Sequence, residues 1–259
     1  MNLDLDLVTS DWHTPPDEIC ARVIRGIDGE ELVQLKVDLG VLQMQMDGRP
    51  DGQRYHGMPS AAEFIAHELR VHRNVGAADW AELNRELQQL NYRRLAFSVL
   101  ADQALRDNNR AVSEPMLRRA YRDITHCLGI LRTFERHQHA VPTSPALRAA
   151  LVYNRTLVAS RLRVVEGLTD EAIDELDHGR RCLDELLERT GAEPEAREAD
   201  PGLTYLKQQE AQLRHAHGVR QTLRERIEAA VENEDFEAAA RLRDELRRRP
   251  KGYTVAEQF

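Results

Sequence analysis

Residues 79–105, DWAELNRELQQLNYRRLAFSVLADQAL, carry Leu83, Leu87, Leu90, Leu95, Val99 and Leu105 in the recurrence of an amphipathic helix. Asp79 stands where a helix-capping oxygen is expected. The polar triplet Asp107-Asn108-Asn109 ends this stretch, and a second helical pattern runs from about Ser113 through Leu117, Tyr121, Ile124, Leu128, Leu131 and Phe134 until Pro142 and Pro145 interrupt it. Two long helices joined by a short polar loop predict an antiparallel αα-hairpin. The helical period continues downstream, with Leu147–Val165 and Glu171–Arg189 as a second pair, Gly167 to Asp170 as their turn and Gly191 as the stop. A polar, proline-containing stretch at 193–202 reads as a linker. Leu203, Leu206, Leu213, Val219, Leu223 and Ile227 then mark a last long helical run, with Gly218 as a kink.

Upstream the period is two. In Val33-Gln34-Leu35-Lys36-Val37-Asp38-Leu39 apolar and polar residues alternate, as in a strand with one wet face. Asp28-Gly29 separates this run from the β-branched segment Cys20–Arg25 and signals a type I′ hairpin. At Gly40 the alternation changes phase, to Leu42, Met44 and Met46, which suggests a bulge or bend into a third strand closed by the turn Asp47 to Gly52. A helix capped by Ser60, with Glu63 three residues on and Phe64, Ile65 and Leu69 on its face, is the partner such a sheet needs. The expected fold is therefore mainly α: a small antiparallel three-strand module with one helix at 1–75, a helical-hairpin bundle at 76–192, and a long helix with a terminal helical hairpin at 203–250. The tandem hairpins resemble a tetratricopeptide or other helical-repeat array, with Ala159, Gly167, Ala172 and Leu176 near its small and apolar positions, although no clear period of about 34 residues emerges. A generic helical bundle is the reading favoured over it.

Charge narrows the function. The 259 residues hold 36 Lys+Arg against 44 Asp+Glu, a net charge of −8, so a phosphate-binding surface is possible only as a local patch. The acidic, interrupted segment Met1 to Trp12 does not read as an export leader, and no apolar run reaches the roughly 18–20 residues that span a bilayer. A cytoplasmic protein with no membrane contact is expected. Cys20, Cys127 and Cys182 form no C-x-x-C and predict reduced, mostly buried thiols.

The most specific segment is 223–246, LRERIEAAVENEDFEAAARLRDEL. Leu223, Ile227, Ala230 and Val231 share one helix face. Phe236, Ala239, Ala240, Leu242 and Leu246 give a second helix an apolar face with small residues for close approach. Asn233-Glu234-Asp235 supplies the turn and a capping oxygen. About 30 residues bury too little apolar surface to be securely stable alone, so such a hairpin packs on its own protein or pairs with another. This stretch closely resembles the UVR motif of the excision-repair proteins UvrB and UvrC, found also in Clp ATPases and their adaptors. Phe236-Glu237, Ala239-Ala240, Leu242-Arg243-Asp244 and Leu246 match its pattern. More loosely, the chain resembles uncharacterised bacterial proteins that carry this motif behind a Val-Gln-Leu-Lys-Val-Asp-Leu strand. The resemblance implies protein–protein interaction and brings no activity. No P-loop or helicase motif accompanies it, and the C-x-x-C zinc sites of the Clp-adaptor type are absent.

No catalytic constellation emerges. In His67-Glu68-Leu69-Arg70-Val71-His72 the second histidine falls one residue late for a zinc-protease helix, and His137/His139 and His215/His217 point apart on helices. His126 beside Cys127 lacks an orienting third group. The turn Asp47 to Gly52 offers Asp47, Arg49 and Asp51, but neither the ligand count of an EF-hand nor the lysine of a P-loop, so a rigid turn is the default. Arg241, Arg243 and Arg247 to Arg249 form a basic end for which Glu225, Glu228, Glu232, Glu234 and Asp235 are the expected partners.

The expectation is a non-enzymatic interaction protein with no cofactor and no metal. Its partner site is Leu223, Ile227, Val231, Phe236, Ala239, Ala240, Leu242, Arg243, Asp244 and Leu246. Phe236, Leu242 and Leu246 are the anchors, Ile227 and Val231 stand opposite, and Arg243 and Asp244 form the rim. A hairpin that pairs with a partner can equally pair with its own copy, so a homo-oligomer is open. The alternative is an accessory factor of nucleotide excision repair, associated with UvrB- or UvrC-like partners and reaching nucleic acid mainly indirectly.

Overall fold

The computed structural model describes residues 9, 10, 12, 19–38, 40–71, 74–137, 145–249 and 252. Expectations resting on Met1 to Val8, Leu39, His72, His139, Pro142 or Lys251 lie outside them. The described residues form two compact units that divide at 141/142. The first holds strands β1 (Cys20–Arg25), β2 (Glu31–Val37) and β3 (Gly40–Gln45) and helices α1 (Ala61–Arg70), α2 (Ala77–Arg106) and α3 (Arg110–Arg136). The second holds α4 (Pro145–Glu166), α5 (Thr169–Arg189), α6 (Pro194–Glu198), α7 (Pro201–His217), α8 (Leu223–Glu232) and α9 (Phe236–Arg248). The fold is mainly α with one small antiparallel sheet, as expected, but the division falls inside the stretch 76–192 read as one bundle.

The sheet has the order β1-β2-β3. Asp28-Gly29 does not form a two-residue turn. Gly26 N–H donates to Glu30 O at 2.8 Å and Gly29 N–H to Gly26 O at 3.0 Å, which closes a three-residue loop with Gly29 left-handed at φ 86°. The change of phase at Gly40 is not a bulge. β2 and β3 pair as a hairpin from Val37↔Gly40 to Leu32↔Gln45, a register that sets Val33 opposite Met44 and Leu35 opposite Leu42. Odd residues of one strand thus share a face with even residues of the next. Val33, Leu35 and Met44 are buried on that face.

Ser60 Oγ accepts the Glu63 N–H at 3.0 Å and starts α1. Gly76 is the N-cap of α2, and Asp79 acts from inside the helix by accepting the Gly76 N–H at 2.7 Å. α2 and α3 pack antiparallel through Leu83, Leu87, Leu90 and Phe97 on one side and Leu117, Ile124, Ile130 and Phe134 on the other, all buried. Beyond Leu90 the core stripe runs through Arg93, Phe97, Ala101 and Ala104, while Leu95 and Val99 are only half-buried. Arg93 is 1% exposed. It donates to both oxygens of the fully buried Asp123, from Nε at 2.6 Å and from Nη2 at 3.0 Å, and from Nη1 to the Gln45 carbonyl at 3.0 Å. Arg122 adds a bond to Asp123 at 2.9 Å, a second to the Met46 carbonyl at 3.0 Å and a third to Asp47. One charge network thereby fixes the end of β3 to both helices.

In the second unit α4 and α5 cross closely at Gly179, where a Cβ would lie 1.9 Å from Thr156 Oγ1. Leu176, Leu183 and Leu206 bring α7 into this core. Two expectations are corrected here. Residues 193–202 are not a linker: they contain α6, and Arg197 is ion-paired to Asp184 at 3.2 Å and Glu188 at 3.5 Å on α5. Gly218 is a stop, not a kink, since α7 ends at His217 with Gly218 left-handed at φ 66°. α2 alone spans 30 residues, against about 34 for both helices of a tetratricopeptide repeat.

Removing Asp123 leaves the buried Arg93 guanidinium without a counter-ion, and removing Arg93 leaves the buried Asp123 with Arg122 in place of two arginines. Arg93→Met or Asp123→Asn alone is expected to cost about 3–5 kcal/mol in denaturant unfolding, whereas the double replacement Arg93→Met/Asp123→Leu recovers most of it.

Candidate functional site

The C-terminal hairpin is built from two capped helices and a three-residue turn. Thr222 Oγ1 accepts the Glu225 N–H at 3.3 Å and the Glu225 carboxylate accepts the Thr222 N–H at 2.8 Å, a reciprocal box that starts α8. α8 ends in a Schellman motif: Glu234 N–H donates to Val231 O at 3.0 Å and Asp235 N–H to Ala230 O at 2.8 Å. Glu234 holds the left-handed position at φ 59° without being glycine. Asp235 then caps α9 by accepting the Ala238 N–H at 2.9 Å.

This geometry sorts the ten candidate residues into two sets. Leu223, Ile227 and Ala239 are buried. Leu242 and Leu246, three and seven residues beyond Ala239, are half-buried on the same stripe. Phe236, 66% exposed, begins a separate outward stripe with Ala240 and Arg243, and Val231 is 38% exposed. Asp244 is exposed and, among the described residues, pairs with Arg247, at 3.5 Å. Of the three expected anchors, Phe236 alone is presented to solvent. Leu242 and Leu246 follow Ala239 inward because α9 must bury one face against α8.

The base of the hairpin is held by polar contacts. The Thr222 hydroxyl donates to Asp174 Oδ1 at 2.7 Å, Arg224 pairs with Asp174 at 3.3 Å, and Arg249 pairs with Asp170 at 2.8 Å and Glu171 at 3.7 Å, all three acids lying in the first turns of α5. From α7, Arg214 reaches both oxygens of Glu225, at 2.5 and 3.2 Å. Burial, with help from the neighbouring Asp170 and Glu171, pushes the Asp174 carboxyl up to about 6 against the pull of Thr222 and Arg224. Thr222-x-x-Glu225 carries the sequence signature of the reciprocal box, which the reading of one continuous helical run through Ile227 missed. The α5 carboxylates carried no local signal, since their partners lie some fifty or more positions away.

The expected neutralisation of the basic end is corrected. Arg249 finds α5, Arg247 finds Asp244, and Glu225 is taken by Arg214. Glu228, Glu232, Glu234 and Asp235 form no ion pair among the described residues, nor do Arg241, Arg243 and Arg248.

Elsewhere the candidates resolve into structure. In the Asp47 to Gly52 turn, Asp47 bonds Arg122 and Arg119, Arg49 pairs with Asp51 and Glu82, and Gln89 donates to Asp51 at 3.0 Å. Burial pushes the Asp47 carboxyl up, but the two arginines more than offset it and hold the group below its usual range. The turn is a staple whose charges are spent internally. Cys127 is buried, its Sγ 3.8 Å from the Leu87 carbonyl, and burial drives its thiol far above the usual range, as in a core cysteine. His215 and His217 are exposed. Among the described residues no group of three or more His, Cys, Asp or Glu is placed to hold a metal ion, and no helix is long and apolar enough to cross a membrane.

Residues 219–248 match the UVR family model, the UvrB/uvrC motif, and these are the residues of the capped hairpin. No curated protein and no solved structure matches the chain. The UVR motif mediates protein interactions in UvrB- and UvrC-like proteins.

Two measurements probe this geometry. A left-handed non-glycine residue costs about 1–2 kcal/mol, so Glu234→Gly is expected to stabilise the hairpin by about 0.5–1 kcal/mol in thermal or denaturant unfolding. Because the folded-state pKa of Asp174 lies above its ordinary value, its contribution is fully present below about pH 4 and is lost as pH rises through about 6. Asp174→Asn keeps an acceptor for Thr222 and is expected to raise the melting temperature at pH 7.5 while flattening its pH dependence between 4 and 6.

Proposed function

We propose that the chain is a non-enzymatic adaptor that docks a protein partner through its C-terminal UVR hairpin. The observation that carries this reading is Phe236: a large aromatic ring, 66% exposed, at the tip of the hairpin that the UVR model matches. A solitary exposed ring needs no explanation in general. Here it follows a turn fixed by backbone hydrogen bonds, across which Val231 is also exposed, at the end of a hairpin whose base is clamped to α5 and α7. Aromatic residues presented on rigid supports are the usual energetic centres of protein interfaces. Arg243, on the same stripe, is suited to pairing at the rim, whereas Leu242 and Leu246 serve the hairpin itself.

The excision-repair reading rests on the description of the motif, and the identity of the partner decides it. The test is affinity capture from nuclease-treated native lysate with the full chain and with Phe236→Ala. The captured partner is expected to fall at least about tenfold with the variant, with an unchanged circular dichroism spectrum and melting temperature. Equal capture by both proteins removes the assignment.

A further inference from the structure

We infer that the hairpin tip is an acidic-rimmed aromatic plug whose partner is a protein surface bearing an apolar pocket ringed by Lys and Arg. The inference rests on the docking reading above and specifies the chemistry of the partner. Residues 227–240 hold five carboxylates, Glu228, Glu232, Glu234, Asp235 and Glu237, and no Lys, Arg or His. All five residues are exposed, and none forms an ion pair among the described residues. The other acids of the hairpin and its base are treated differently: Asp170, Glu171, Asp174, Glu225, Asp244 and Glu245 each have an arginine within 4 Å. Among the described residues, pairing of the acids is therefore general in this region and stops at the tip.

Two features that are each unfavourable in the isolated chain coincide there. Phe236 leaves a large apolar ring in water, and the crowded carboxylates repel one another. A pocket that is apolar at its centre and cationic at its rim relieves both at once, the arrangement of a buried anchor within a polar rim. The same charges repel phosphate, which disfavours nucleic acid and anionic membrane at this surface. The hairpin of a second copy of the chain fits poorly. Its unpaired Arg241, Arg243 and Arg248 stand beside Leu242 and Leu246, which turn inward, so they surround no exposed apolar pocket. Opposite charges on tip and pocket also steer encounter, so association must weaken as salt screens them.

The test places a photo-reactive residue in the full-length chain as Phe236→p-benzoylphenylalanine. This probe is irradiated in nuclease-treated lysate at 50 and 300 mM NaCl, and the crosslinked sites are mapped by mass spectrometry. The expected result is a crosslink to an apolar residue of another protein with Lys or Arg around it. Its yield should fall at least about fivefold at the higher salt and by a similar factor when Glu232→Gln, Glu234→Gln and Glu237→Gln are combined. A protein crosslink whose surroundings lack Lys and Arg, or whose yield ignores both salt and the triple variant, overturns the inference while leaving the docking reading standing. A crosslink to this chain itself, or one that appears only when nuclease is omitted, overturns the inference in favour of self-association or nucleic acid. Absence of any crosslink overturns the docking reading and the inference together.

Discussion

The first unit depends on a cation and an anion buried where water cannot reach them. Neither Arg93 nor Asp123 is tolerable alone in that interior, since removing an ion from water costs far more than one hydrogen bond returns. Together they are satisfied, because the carboxylate receives Nε, Nη2 and Arg122, and the remaining guanidinium edge finds the Gln45 carbonyl. This arrangement dictates the neighbours. β3 must end beside α2 for Gln45 to accept, α3 must place Asp123 opposite Arg93, and the following turn must carry Asp47 to occupy Arg122. A three-stranded sheet too small to stand alone is thereby fixed to a helical hairpin by directional contacts, over and above the apolar layer of Val33, Leu35 and Met44.

Much of the secondary structure was legible because its period follows from which face is buried. Strand alternation, the capping serine at Ser60, the stop at Gly191 and the terminal hairpin all follow from local rules. What escaped the sequence was long-range. The core stripe of α2 passes through Arg93, which no local pattern assigns to a core, because its licence to be there is a carboxylate 30 positions downstream. The same holds for the α5 acids that receive Thr222, Arg224 and Arg249, and for α6, which Arg197 pins in a stretch that composition alone marks as a linker. Loop lengths were misread for a related reason. The phase change at Gly40 fits a bulge or a hairpin equally well until the register of both strands is known.

The candidate site shows the same split. The motif identified the hairpin and its apolar residues, but only geometry could divide them, since Ala239, Leu242 and Leu246 lie just off the stripe that starts at Phe236. A shift of about 100° around a helix separates a residue that holds a hairpin together from one that it presents. Charge was likewise invisible as arrangement. A list of acids and arginines suggests mutual neutralisation, whereas among the described residues the structure places its pairs at the base, and the tip and part of the basic end form none.

The turn between α8 and α9 has one further consequence. Asp235 belongs to both helices at once, closing the Schellman motif of the first with its N–H and capping the second with its carboxylate. No residue is left over to act as a slack connector. The orientation of Phe236 is thus settled before any encounter, and its ring has little backbone freedom left to surrender on contact. For so small a surface this matters, because the entropy of ordering a loose loop would consume much of what a single buried ring can contribute.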